Sequence, residues 1–304
     1  MKKTQAVILA TSLLGLGLTG FYSVKSHAEE TPKMEAAQSA TIAEPVTAEQ
    51  QTELVPAVMD AKTLQAKMLN AIDNYQNVSG SYRVILAPLG VDETVEFEVQ
   101  QGNNPRSHVK VLNNTKAELI KETAFDGEFY WDVKHNRKTY KKTKVSKANE
   151  STAFNKNEPR TYKNEQGEKV FVKRPDPAFS ASAKDVVFPQ DYAFWLTPDN
   201  HEIVGTEKLL NRTVAMVKGK HEDRILAEKH QATHFTMWVD TETGVLLKLE
   251  ETNDKNEVTN SIEVLSIEFD EKAKKATFAL PESFQNSTPS FEQAKFKQTM
   301  ESAK

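Results

Sequence analysis

The stretch LQAKMLNAIDNYQNVSGSYRV, residues 64–84, carries the chain out of an amphipathic helix and into its first strand. Leu64, Met68, Ala71, Ile72 and Tyr75 recur at the spacing that lines one helical face, which predicts a helix over Asp60–Tyr75. Asp60 is placed to cap its first turn, and Asn77-Val78-Ser79-Gly80 to end it. Tyr82, Val84 and Leu86 then alternate with polar or outward positions, the period of a half-buried strand. An amphipathic helix needs an apolar surface to lie on, and the strands that follow can supply one.

Val95, Phe97 and Val99 alternate with Glu96 and Glu98, and Val109 with Val111 marks a further strand. Phe129, Trp131 and Val133 alternate with Tyr130 and Asp132. Later come Glu202–Glu207, Thr213–Lys218, His234–Val239, Val245–Glu250, Val258–Phe269 and Ala276–Leu280. Asp126-Gly127 and the run from Asp240 to Gly244 are turn signals. The pattern predicts about ten or eleven antiparallel strands, and the lack of βαβ alternation excludes a doubly wound parallel sheet. Residues 146–200 interrupt it. Within them Phe188, Tyr192, Phe194 and Trp195 form an aromatic cluster expected to make a helical turn that docks back on the sheet, capping a cavity or protecting an edge.

The chain has 304 residues, with 39 Lys+Arg, 43 Asp+Glu and no cysteine, which excludes a disulfide scaffold, thiolate metal sites and a cysteine nucleophile. Lys2 and Lys3 precede the uncharged run Ala6–Val24, and Ser26-His27-Ala28 offers a small-residue exit, so residues 1–28 read as a signal peptide or an uncleaved anchor. Either reading puts the rest of the chain outside the cytoplasmic membrane. Residues 29–58, rich in Ala, Glu, Gln, Thr and Pro, read as a disordered linker. The folded domain is expected over 59–285, with a polar tail over 286–304. Loss of residues 1–28 removes three lysines and no acid, leaving a net charge of −7. Lys134–Arg174 nevertheless carries 13 basic residues against four acids, within a basic insertion expected around 134–200. Such a segment can contact an anionic envelope surface or form a solvated hairpin and loop. Export and overall acidity argue against nucleic acid as a partner.

No Gly-x-Ser-x-Gly, phosphate loop or His-Glu-x-x-His is present, and no cofactor or metal is expected. His230 and His234 are four apart, but their surroundings lead into a strand, which suits a metal poorly. The sequence gives no sign of an enzyme.

The order of elements resembles the LolA/RseB-like superfamily, which includes the lipoprotein carrier LolA and the N-terminal domain of the anti-sigma regulator RseB (MucB). The helix-to-strand passage quoted above is similar to that family's start. MWVDTETGVLLKLEETNDKNEVTNSIEVLSIEF, residues 237–269, resembles its penultimate hairpin and long final strand, and ATFALP, residues 276–281, its closing strand. The resemblance implies a mainly β fold of the α+β class: a half-open antiparallel barrel of about 11 strands with the helix on its concave side. RseB carries a second domain after its barrel, which is not expected here, since residues 282–304 alone follow Pro281.

An unclosed barrel can enclose more volume than its side chains fill, leaving an apolar cleft. Each methylene of a bound chain would then contribute about 0.8 kcal/mol. The candidate lining residues are Leu64, Met68, Ile72, Tyr82, Val84, Phe97, Phe129, Trp131, Met216, Met237 and Trp238. Each taken singly reads more readily as ordinary core, and Met237 and Trp238, being adjacent in a strand, cannot line the same face. The function so implied is a non-catalytic carrier or sensor of a lipid or lipoprotein acyl chain. The alternative is a regulatory module for a membrane anti-sigma factor or similar sensor.

Overall fold

The computed structural model describes residues 59–145 and 158–287. The expected signal peptide, the linker, nearly all of the C-terminal tail and part of the basic insertion lie outside the described residues.

Asp60 accepts from the Thr63 amide at 2.9 Å and so starts α1 (Ala61–Leu69), as the sequence implies. The helix is shorter than its apolar period suggests. Asn70 turns its side-chain amide back to the Ala66 carbonyl, and Ala71–Asp73 continue as a single 3-10 turn. Asn77–Gly80, expected to be a helix stop, already belong to a strand.

The strands are β1 (Asn77–Leu86), β2 (Val91–Gln100), β3 (Arg106–Asn113), β4 (Glu118–Phe125), β5 (Phe129–Lys134) and β6 (Thr139–Lys144), then the small hairpin β7 (Thr161–Lys163) and β8 (Lys169–Phe171). After two short helices, α2 (Lys184–Val187) and α3 (Gln190–Ala193), come β9 (His201–Leu209) and β10 (Arg212–Lys220). The helix α4 (Arg224–His230) leads to β11 (His234–Asp240), β12 (Leu246–Thr252), β13 (Val258–Phe269) and the two-residue β14 (Gln285–Asn286).

Twelve strands form one curved, unclosed sheet in the order β14-β6-β5-β4-β3-β2-β1-β13-β12-β11-β10-β9, antiparallel except where β14 joins β6 in parallel. Two meanders meet at the pair β1–β13. The first runs outward from the centre, so β6 ends near one edge; the second starts at the other edge with β9. The chain between β6 and β9 must therefore cross ten strand spacings, roughly 48 Å at 4.8 Å each. That crossing explains the long interruption in the strand pattern.

The expected open antiparallel sheet is present; two further full strands join it and one expected strand does not. β4 and β6 went unread in the sequence. Ala276–Leu280 is not a strand of the sheet; it is an extended arm whose Phe278 ring lies 5.6 Å from both His108 and Trp131. The strand count is twelve in the main sheet, with β7 and β8 in a separate pair.

Candidate functional site

Residues paired across neighbouring strands share a face, so the register sorts the sheet into two sides. One side carries Val78, Tyr82 and Val84 of β1, Val95, Phe97 and Val99 of β2, Val109 of β3, Phe125 of β4, Phe235 and Met237 of β11, Leu249 of β12 and Ile262 of β13. All are buried. This inner side is covered by α1 and by the crossing segment, whose Ala178, Val186, Val187, Phe188, Phe194, Trp195 and Leu196 are buried as well.

The cover is fastened through hydrogen bonds to backbone carbonyls and through an ion pair in which Arg174 meets the Asp73 carboxylate at 2.7 and 2.8 Å. The Tyr82 hydroxyl donates to the Ser182 carbonyl at 2.7 Å and the Tyr75 hydroxyl to that of Val187 at 3.0 Å. Gln65 on α1 donates to the carbonyls of Ala193 and Leu196 at 2.8 and 2.7 Å. The Phe179 ring lies tilted against that of Phe125, centroids 4.8 Å apart, and Ser107 donates to the Phe179 carbonyl. At the far end Trp195 meets His221 at 4.6 Å and Phe235 at 5.6 Å. Cover and sheet thus form one apolar layer with a few polar clasps.

Two ionisable features sit at this layer. Glu251, nearly fully buried, receives His221 Nε2 and His230 Nδ1 at 2.8 Å each. Burial opposes its charge, yet the two histidine hydrogen bonds outweigh that and hold its carboxyl below the usual range. Asp185 on α2 goes the other way: burial pushes it up to about 7, against partial relief from Lys184.

The predicted lining residues divide between the two sides. Leu64, Met68 and Ile72 on the helical segment and Tyr82, Val84, Phe97 and Met237 on the sheet come together beneath the cover. Phe129, Trp131, Met216 and Trp238 do not join them. Trp131 pairs across with Ala124 and Lys142, and Met216 with Trp238, on the outer side. There the Trp238 indole donates to Glu207 and lies under the Lys248 ammonium, 4.6 Å from the ring. Single-residue alternation decides the matter, because a neighbour in a strand faces away.

The expected open hollow beneath α1 is filled. Leu64, Met68, Val187 and Met237 have no exposed surface, because the crossing segment packs its own apolar side chains against the inner side. Three cavities formed by described residues, of about 300, 580 and 370 Å³, take no wall from α1. The third, of about 370 Å³, lies between Trp131, Phe125 and the arm residues Phe278 and Leu280. Sequence reasoning missed Gln65 and Tyr75 as clasps; a glutamine and a tyrosine flanking an apolar helical stripe were the available signal. Among the described residues no group of three or more His, Asp or Glu is arranged to hold a metal ion, and no helix is long and apolar enough to cross a membrane. His230, considered beside His234 as a metal ligand, instead bonds Glu251.

No family model matches the sequence, and no curated protein matches it. Solved structures to which the chain is similar include an uncharacterized conserved protein from Thermus thermophilus, at 8% identity over 72% of this chain and 96% of that one, with a TM-score of 0.39. MucB in complex with the periplasmic part of MucA matches at 13% identity and a TM-score of 0.40, over 76% of this chain and 63% of that one. The Mycobacterium tuberculosis lipoprotein LppX matches at 12% identity and 0.36, over 72% and 100%.

Proposed function

We propose that this chain is an extracytoplasmic, non-catalytic binding module that takes an apolar chain, such as the acyl chain of a lipid or lipoprotein, between the inner side of its sheet and the helical cover. One observation carries the reading. The apolar layer of a twelve-stranded open sheet is closed by a crossing segment whose described elements are all short, a hairpin of three-residue strands, a 3-10 turn and two four-residue helices, held through polar clasps and the Arg174–Asp73 ion pair. A cover with so little regular structure of its own is the part of a domain most readily displaced as a unit. Displacing it exposes Tyr82, Phe97, Phe235 and Met237, and an acyl chain replaces the contacts that the cover gives up. The filled interior is then the closed state, and ligand competes with Val187, Phe188 and Phe194 for the same surface. The residues proposed to meet ligand are Leu64, Met68, Ile72, Tyr82, Val84, Phe97 and Met237.

The test is titration of the purified full chain with the fluorescent apolar probe N-phenyl-1-naphthylamine, with native mass spectrometry for copurified lipid. Saturable probe binding that a fatty acid displaces supports the proposal. A lipid-free protein with no saturable probe signal, before and after mild heating to loosen the cover, removes it.

A further inference from the structure

β6 is the last full strand at its edge of the sheet, and β14 covers only the start of it. Gln285 donates its amide to the Lys138 carbonyl at 3.0 Å and Ser287 to the Tyr140 carbonyl at 2.7 Å. Beyond that point no described residue pairs with the edge. Val145 donates to the Glu128 carbonyl at 2.9 Å, which places the alternate residues Thr139, Lys141 and Thr143 in the hydrogen-bonding positions toward β5. Lys142 and Lys144 consequently turn their amides and carbonyls outward, where no described residue bonds them.

The side chains on this edge share one sign. Lys141, Lys142 and Lys144 are exposed, and Lys134 and Lys138 adjoin them. The Lys142 ammonium lies 3.8 Å from the Phe129 ring, a contact that orients it without neutralising it. Glu128, 3.1 Å from Lys144, is the one acid paired with these lysines among the described residues. A second copy of β6 laid alongside would oppose lysine to lysine, which is destabilising, so the edge is guarded against its own kind. The same charges favour a strand of opposite sign.

We propose that the outer edge of β6 receives an extended, acid-rich segment of a partner protein, which adds as a strand along Lys142 and Lys144. β14 already adopts this mode at Thr139 and Tyr140, so the edge accepts an added strand without rearrangement. Backbone hydrogen bonds supply the docking, and carboxylates opposite Lys142 and Lys144 select the partner. This surface is separate from the covered inner side and does not depend on what that side binds.

The test uses the full chain and two fluorescein-labelled nine-residue peptides, one alternating Glu and Val, the other Lys and Val, followed by anisotropy at low and moderate salt. Saturable binding of the Glu peptide, weakened by salt, with none of the Lys peptide, is expected. Lys142→Glu with Lys144→Glu should weaken binding at least tenfold. Lys142→Pro removes one outward amide and leaves the ladder to β5 intact, so it should weaken binding to a similar degree. Binding that survives the proline but not the charge reversal means charge attraction without strand addition, and overturns the proposal. So does failure of the Glu peptide to bind. Should the proline variant not fold, amide exchange in the unsubstituted chain decides: peptide must slow exchange at Lys142 and Lys144, and unchanged exchange there overturns the proposal.

Discussion

The Tyr82 hydroxyl and the Ser182 carbonyl, 100 positions apart in sequence, meet at 2.7 Å and tie the middle strand of the sheet to its cover. Burial raises the Tyr82 hydroxyl's pKa well above its ordinary value, so it stays a donor at any physiological pH. Tyr82→Phe keeps the ring against Phe97, 6.3 Å away, and removes only the clasp. The loss should be about 1 kcal/mol, or a melting point lower by roughly 2–4 °C in a chain of this size. Stopped-flow mixing with the naphthylamine probe should show faster entry if the cover is the gate. An unchanged entry rate alongside the lower melting point would assign the bond to stability alone.

Met237 and Met216 sit on neighbouring strands and belong to opposite sides. Met237→Ala leaves a hole in a fully buried layer and should cost about 2–5 kcal/mol. Met216→Ala, on the half-buried outer side beside Trp238, should cost well under half of that. Urea denaturation of the two variants measures the difference. Equal losses would mean that the two methionines are packed alike and do not face opposite sides.

Part of this arrangement was legible in the residues and part was not, for physical reasons. Val95, Phe97 and Val99 announce their strand because one side is buried and the other wet. β6, TYKKTK, gives no such signal: it is an edge strand held by backbone pairing, and none of its side chains is buried. β4 hides for the opposite cause, since Glu122, Thr123, Ala124 and Phe125 are buried on both sides. The expected open antiparallel sheet with a leading helix is present because alternation and helical period are local properties. Strand order is not local. That β6 and β9 lie at opposite edges, and that the chain between them must cross and fill the inner side, cannot be read from spacing. Phe129-Tyr130-Trp131, three aromatics in a row, likewise carry no mark of which one faces inward.

One carboxyl of the cover and one of the sheet predict two separate pH effects. Folded Asp185 keeps its proton up to about pH 7, whereas in an unfolded chain it would lose it near pH 4. Between those values the folded state binds more protons, so stability falls as pH rises across that window. Lys184, Lys173, Asp191, Tyr82 and Tyr192 surround the group and set the size of the effect. Glu251 behaves oppositely. Its depressed pKa contributes stability above the unfolded value, about 4.3, which is lost as pH falls through the folded one. Urea midpoints from pH 4.5 to 7.5 should therefore decline on the alkaline side in the unsubstituted chain. Asp185→Asn should flatten that decline, by an amount on the order of 2–4 kcal/mol over the window. A slope that persists in the variant would place its origin elsewhere.

The turn from Asp240 to Gly244 seats α1 on the sheet, and its failure should be felt at the cover. Asp240, almost entirely buried, accepts from the amides of Glu242 and Thr243 at 3.0 and 2.7 Å and pairs with Arg212. The loop then returns bonds to the helical segment: the Lys67 ammonium donates to the Glu242 carbonyl at 2.9 Å, and Asn74 to that of Thr243 at 2.9 Å. Gly244 closes it with φ of +80°, where a β-carbon would stand 2.4 Å from the Lys67 carbonyl carbon and 2.5 Å from its oxygen. Gly244→Ala therefore meets two penalties, about 1–2 kcal/mol for the left-handed backbone and a further 1–3 kcal/mol for the clash. The second can be relieved only by lifting α1. Because Gln65 on that helix holds Ala193 and Leu196, lifting it should loosen the cover too. Amide exchange at Ala193–Leu196 should rise in Gly244→Ala along with the loss of stability. If stability falls and exchange there stays slow, the cover is held from the sheet and not through the helix.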